Sequence, residues 1–185
     1  MPSAERRRAA LPGALAAALL LLGACGTADD LFPSSTDHSG GQAGTTGPAV
    51  GQTAPDFTLP ATSGGSATLS GLVATHRAAV LYFVMWCPIC DAHLSSLLQY
   101  QIPFFPDVAF VAVDYVSGSV EQARQSQVDA GWGGDAFLVV ADVGAALERF
   151  YSRGMGVVVI DRDQVVRMNE EYDQARLSAL LEQLP

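Results

Sequence analysis

The sequence predicts an α/β fold: a central mixed sheet flanked by helices and preceded by an N-terminal hairpin. Three observations predict it. First, beyond about residue 50, apolar runs of strand length alternate with segments of helical pattern, the order that builds a layered α/β domain. Second, the chain ends in two strands, Val157 to Ile160 and Gln164 to Met168, joined by the turn Asp161-Arg162-Asp163 and followed by an amphipathic helix over Asp173 to Leu184. Third, the apolar run Ala78 to Val84 gives way to Cys87-Pro88-Ile89-Cys90, and a helical pattern begins at once, from Pro88 to about Gln101.

The remaining elements follow in order. Ser63-Gly64-Gly65 reads as the turn of a short hairpin, with Ala67-Thr68-Leu69 as its return strand. Pro103 and Pro106 close the helix after the cysteines, and Val108 to Asp114 is a strand buried on both faces by its unbroken apolar run. A helix over Ser119 to Ala130 carries Ser119 as N-cap, Glu121 in its first turn and Gly131 past its end. Ala136 to Val140 is a strand, and Asp142 caps a helix that runs through Tyr151.

Length and composition bound the function. The chain has 185 residues, 49% of them hydrophobic, which suits one domain with a substantial core plus extensions. Its formal charge is -9, and all ten basic residues are arginine. The lack of lysine excludes Schiff-base and P-loop chemistry, and without a basic stripe there is no footprint for nucleic acid. Residues 1 to 24 read as a signal peptide: Arg6-Arg7-Arg8, an apolar stretch from Leu11 to Leu22 too short to span a membrane comfortably, then small residues at a cleavage point. Leu22-Gly23-Ala24-Cys25 resembles the bacterial lipobox. That resemblance implies that Cys25 is lipidated and that the domain sits outside the cytoplasm, anchored to a membrane, where disulfides persist. Residues 25 to 48, rich in Gly, Ser, Thr, Asp and Pro, are expected to be a flexible tether reaching on the order of 25 Å, with His38 a solvated residue within it. The folded domain is then 49 to 185.

The chemistry lies in the dithiol. A thiolate attacks a disulfide, and a helix N-terminus favours the anion with partial positive charge and unpaired N–H groups. Cys87 is placed at such an N-terminus and Cys90 one turn inside, so that Cys87 attacks a partner and Cys90 resolves the mixed disulfide. Pro88 has the fixed φ of a first helical turn and no N–H to satisfy there. Two other readings of the pair stay open. A structural disulfide closing so short a loop gains little entropy. A zinc site built on Cys87, Cys90 and His93 reaches three ligands at most, where a structural site wants four.

Gly51-x-x-Ala54-Pro55-Asp56-Phe57-x-Leu59, the hairpin after it, and Trp86-Cys87-Pro88-Ile89-Cys90 together resemble the redoxins of the AhpC/TSA superfamily, including TlpA-like periplasmic thiol-disulfide oxidoreductases. The resemblance implies a thioredoxin-like fold and catalysis by Cys87 and Cys90. It also implies protein thiols or disulfides and a redox partner as the molecules met, and an indole, Trp86, shielding one side of the dithiol. A monomer needing no cofactor and no metal is expected. The chain departs from the pattern in two places. The loop position that carries a cis-proline in thioredoxin-like folds falls on Met155 or Gly156, so a trans peptide and a substrate groove of altered shape are expected. Met155 reads more simply as filling an irregular gap than as presenting its thioether to the site. The buried carboxylate that serves as base in thioredoxins is also missing, since Leu81 stands six residues before Cys87. Asp114 and Glu121 fall near the carboxyl end of the next strand, where open α/β sheets place their chemistry, but read as a solvated strand end and a helix-dipole acid. His93 shares a helix face with Cys90 and is expected at the surface.

Two other functions compete. A thiol peroxidase would resemble Pro-x-x-x-Thr/Ser-x-x-Cys. The corresponding positions are Val80 and Val84 before Cys87, and Phe83 and Cys87 before Cys90, and Arg149 or Arg153 would have to supply the cationic donor. A copper-handling protein resembling the Sco family needs Cys-x-x-x-Cys and a distant histidine, and no histidine follows His93.

Overall fold

The computed structural model describes residues 41–134, 137–152 and 154–185. A short hairpin, β1 (Thr58–Pro60) and β2 (Ser66–Thr68), precedes helix α1 (Leu69–Thr75). Then follow β3 (Ala78–Val84), α2 (Pro88–Tyr100), β4 (Val108–Asp114), α3 (Val120–Asp129), β5 (Leu138–Ala141), α4 (Ala146–Tyr151), β6 (Gly156–Asp161), β7 (Val166–Glu171) and α5 (Gln174–Gln183). The five-stranded sheet has the order β5-β4-β3-β6-β7. β3, β4 and β5 are parallel, while β6 runs antiparallel to β3 and β7 antiparallel to β6, so the sheet is mixed as expected.

β3 occupies the middle of the sheet, and all seven of its residues are buried. Its alternate side chains feed two cores. Ala79, Leu81 and Phe83 join Val111, Val113, Tyr151 and Ile160 on one face. Ala78, Val80, Tyr82 and Val84 join Cys90, Leu94, Leu97 and Leu177 on the other. A strand buried on both faces has no polar side to show, hence the unbroken apolar run. Each such aliphatic side chain contributes about 1.5–3 kcal/mol by leaving water, which makes β3 a rigid base for whatever follows it.

The structure corrects the expected elements in several places. Leu69 does not end the return strand. It opens α1, which the sequence reading lacks: Thr68 caps it by accepting from the Gly71 N–H (3.0 Å), and Leu69 and Val73 bury its inner face. β5 begins at Leu138, and Ala136 lies outside the described residues. Asp142 does cap α4, but from a distance: its carboxylate accepts from the N–H groups of Ala146 (3.0 Å) and Glu148 (2.8 Å), while Ala145 is the residue at the helix boundary. The last strand runs on to Glu171, three residues beyond Met168. Of the expected tether, residues 25–40 lie outside the described residues, as do the signal segment, Cys25 and His38. Residues 41–48 are instead tied to the domain: Gly41 N donates to Val50 O (2.9 Å), Gly47 N to Thr53 O (3.1 Å), and the Asn169 amide to Pro48 O (3.0 Å).

Candidate active site

The site forms where β3 ends and α2 begins, at the carboxyl end of a central strand. Cys87 is the N-cap of α2, in extended conformation (φ -97°, ψ 164°), and Pro88 is in the first turn. The Cys87 sulfur accepts from the Cys90 backbone N–H at 3.3 Å, so a thiolate takes the part that an N-cap oxygen plays elsewhere. Cys87 is partly exposed, whereas Cys90 is fully buried one turn in, packed with Tyr82 and Leu94.

The two thiols therefore titrate in opposite senses. Partial burial raises the Cys87 thiol, but hydrogen bonds from the Cys90 thiol and from the N–H groups of Cys90 and Ile89 outweigh it and bring Cys87 below the ordinary thiol value. Burial pushes the Cys90 thiol up, and the hydrogen bond it gives to Cys87 pushes it further. The result is a more acidic sulfur toward solvent and a less acidic one beneath it.

Trp86 stands at φ +57°, in the left-handed region rare for a side chain of this size, at the turn that swings the chain from strand into helix. Its Nε1 donates to Asp114 Oδ2 at 2.6 Å. Asp114 is thus not the solvated strand end expected of it. It is fully buried at the end of β4 and also accepts from Val116 N (3.0 Å), Ser117 N (2.9 Å) and Ser117 Oγ (2.8 Å). With its oxygens turned to these donors, the carboxylate anchors the indole and shapes the turn after β4. Glu121 is at the surface, paired with Arg124 on its own helix.

Met155 corrects the gap-filling expectation. It sits at φ +60°, just before β6, with its Sδ 3.5 Å from Cys87 Sγ, and it is 36% exposed, too open to be plugging a core. Among the described residues no peptide bond is cis. Gly156, the alternative register for that loop position, is instead the first residue of β6, paired with Glu171. His93 is another correction. It is half-buried, its Nδ1 2.9 Å from the Tyr82 hydroxyl, and its ring stacks obliquely on Tyr172 at 4.6 Å.

Sequence reasoning missed Trp132. On the loop after α3, it packs against Phe137 and donates from Nε1 to Asp91 Oδ1 at 2.8 Å. With Trp86, Pro88 and Leu94 it walls a cleft of about 330 Å³ that opens beside Cys87 and Cys90. The only available signal was a tryptophan in a Gly-rich loop, which does not point to a partner 41 residues earlier in the chain. Among the described residues, no group of three or more His, Cys, Asp or Glu side chains is placed to hold a metal, and no helix is long and apolar enough to cross a membrane.

A five-stranded mixed sheet with a Cys-x-x-Cys pair at the N-terminus of the helix after its central strand is a thioredoxin-like redox fold. The comparisons with known proteins agree. Residues 50–169, well over half of the chain, match the AhpC/TSA family model, and the chain belongs to the AhpC/TSA family. Among solved structures it resembles a secreted Mycobacterium tuberculosis disulfide oxidoreductase homologous to E. coli DsbE, with 23% identity, 69% of this chain and 96% of that one covered, and a TM-score of 0.53. It also resembles a putative thiol:disulfide interchange protein DsbE from Chlorobium tepidum (26% identity, 72% and 94% covered, TM-score 0.57). A third similar structure is the peroxidoxin BcpB of Mycobacterium tuberculosis (19% identity, 73% and 95% covered, TM-score 0.56). No curated protein matches the chain.

Proposed function

We propose that the protein is a thiol-disulfide oxidoreductase that exchanges its Cys87/Cys90 pair with protein substrates, and that it works outside the cytoplasm, held to a membrane by a lipid on Cys25. The observation that carries the reading is the asymmetry of the pair: an accessible sulfur that accepts from α2's own N–H groups, above a buried one that remains a thiol. In the reducing direction, the Cys87 thiolate attacks a substrate disulfide. A Cys87–substrate S–S bond forms, the substrate's S–S bond breaks, and the departing thiolate takes a proton. Cys90 then attacks Cys87 Sγ, forming the Cys87–Cys90 disulfide and releasing the second substrate thiol. Two electrons pass to the substrate, and the same steps reversed oxidise a substrate dithiol.

The apolar collar around Cys87 suits a protein client. Ile89 is 58% exposed and Met85 41%, beside Met155 and the tryptophan-walled cleft, so an extended peptide finds apolar contact on both sides of the reacting sulfur. The extracytoplasmic placement rests on the signal-like segment ending at Cys25, and one structural neighbour is a secreted disulfide oxidoreductase. A peroxidase would need a hydroxyl three residues before its cysteine, where this chain has Val84 or Cys87. Arg149, one candidate donor, gives its guanidinium to Gly144 O, and Arg153 lies outside the described residues. The test is insulin reduction and peroxide consumption, measured side by side for the wild type and Cys87→Ser, with metabolic lipid labelling of Cys25→Ser in a bacterial host. Disulfide exchange lost in Cys87→Ser supports the reading. Peroxide turnover without exchange overturns it in favour of a peroxidase, and label retained in Cys25→Ser removes the anchor.

A further inference from the structure

The cleft beside the dithiol has one wall that the exchange chemistry itself does not require. Trp132 is held from beneath by the buried Gln127: the Trp132 N–H donates to Gln127 O (2.9 Å), the Gln127 amide donates to Trp132 O (2.8 Å), and Thr62 Oγ1 donates to Gln127 Oε1 (2.7 Å). With its side-chain N–H and oxygen spent in this way, Gln127 fixes the loop after α3, and Phe137 braces the indole edge to face at 5.4 Å. The wall is therefore in place before any client arrives, which is the condition for a pocket that selects its occupant. We infer that this cleft is a specificity pocket for an arginine side chain beside the reactive cysteine of the client.

The pocket rests on the exchange reading above, and its lining decides the occupant. Trp86, Trp132, Pro88, Leu94 and Ala130 make the cleft of about 330 Å³ mostly apolar, and Asp91 adds a carboxylate. The Asp91 N–H donates to Cys87 O at 3.0 Å, so this charge stands one helical turn from the reacting sulfur. Its Oδ1 accepts from Trp132 Nε1 at 2.8 Å. Among the described residues the arginines form ion pairs with Asp107, Glu121, Asp161 and Glu170, and none pairs with Asp91.

A wholly apolar side chain seated here would cover the carboxylate and strip it of water without giving it a donor. An acidic one would meet the Asp91 charge, in a chain whose formal balance is -9. A lysine brings the right charge, but as a compact, strongly hydrated ammonium that does not stack. Arginine satisfies every part. Its methylene stem lies on the aliphatic wall, its planar guanidinium stacks on an indole, and its N–H groups reach the Asp91 oxygen that Trp132 leaves over. Because Cys87 lines the same cleft, an arginine seated there brings the neighbouring client sulfur onto Cys87.

The test uses the reduced full chain carrying Cys25→Ser, so that only the dithiol reports. Its substrates are short peptides whose one cysteine is a mixed disulfide with thionitrobenzoate, so that attack by Cys87 on the peptide sulfur releases a coloured thiolate. The cysteine is flanked by glycine on one side and by arginine, citrulline or leucine on the other, in either order, and a further peptide carries its arginine at the far end. Each rate is divided by that of the same peptide with mercaptoethanol, which removes differences in intrinsic reactivity. In one order or the other, the adjacent-arginine peptide should react about tenfold faster than its citrulline and leucine counterparts and than the far-arginine isomer, the span of a desolvated cation–π contact with a carboxylate behind it. In Asp91→Asn, which keeps an oxygen for the Trp132 N–H, and in Trp132→Leu, the preference should fall below about threefold. Being a ratio, it is unmoved by any change in the ionisation of Cys87. The exposed Asp91 variant carries the test if Trp132→Leu fails to fold. Equal rates for arginine and citrulline, a faster leucine peptide, or a preference undiminished in Asp91→Asn overturns the pocket and leaves exchange standing. No release from any peptide overturns the exchange reading, and the pocket with it.

Discussion

Cys87 and Cys90 are the same residue type one helical turn apart, yet they live in opposite surroundings. Around Cys87 the chain offers backbone N–H groups, a thioether and open solvent; Cys90 is fully buried in a cluster of aromatic and aliphatic side chains. The contrast teaches that the division of labour in a dithiol is set less by the cysteines than by which side of the helix start each one faces. The N-cap of a helix can be stabilised as an anion, while a residue three positions on is already inside the core.

The largest effect expected from breaking this contrast is at the sulfurs. Cys87→Ser should reduce exchange to background, a loss of at least about 1,000-fold in insulin reduction. Cys90→Ser should leave the first attack intact and accumulate a mixed disulfide visible by mass spectrometry. A Cys90→Ser protein that turns over normally would show that the buried thiol has no part in the cycle.

Next comes the scaffold on the Cys87 side. Asp114→Ala strands the Trp86 indole N–H and the Ser117 groups, and should destabilise the fold by about 2–3 kcal/mol in urea unfolding, with Asp114→Asn losing less. A smaller effect concerns pH. The Cys87 pKa is lower folded than unfolded, so its contribution to the stability of the reduced protein is fully present above the ordinary thiol value and is lost as pH falls through the folded one. The stability difference between the reduced parent and Cys87→Ser, followed by thermal unfolding, should therefore shift in the parent's favour as pH rises. The smallest effect is at Met155. A thiol that donates to the thioether is held slightly in its neutral form. Met155→Leu should then speed alkylation of Cys87 at neutral pH by less than about threefold, the change being weak because a thioether is a poor acceptor.

Much of the architecture was legible because β3 and β4 are unbroken apolar runs of strand length, the terminal hairpin has a polar turn between two strand-length segments, and the dithiol announces its own helix start. What escaped was short or long-range. α1 is seven residues with a glycine in its first turn, too brief for a period to emerge. The roles of Asp114, Trp132 and His93 depend on partners far along the chain, at Trp86, Asp91 and Tyr82, and no local pattern encodes such pairings. Counting back from β6 left the loop position on Met155 or Gly156, and the approach of Met155 to Cys87 follows from a left-handed backbone at a non-glycine residue, which propensities disfavour.

The account turns on the ionisation of one sulfur, and an ultraviolet titration of thiolate absorbance in the reduced Cys25→Ser protein measures it directly. One thiolate should appear below the ordinary thiol range and vanish in Cys87→Ser, the second emerging only above that range. An early thiolate that survives Cys87→Ser, or two thiols that ionise together at the ordinary value, would contradict it.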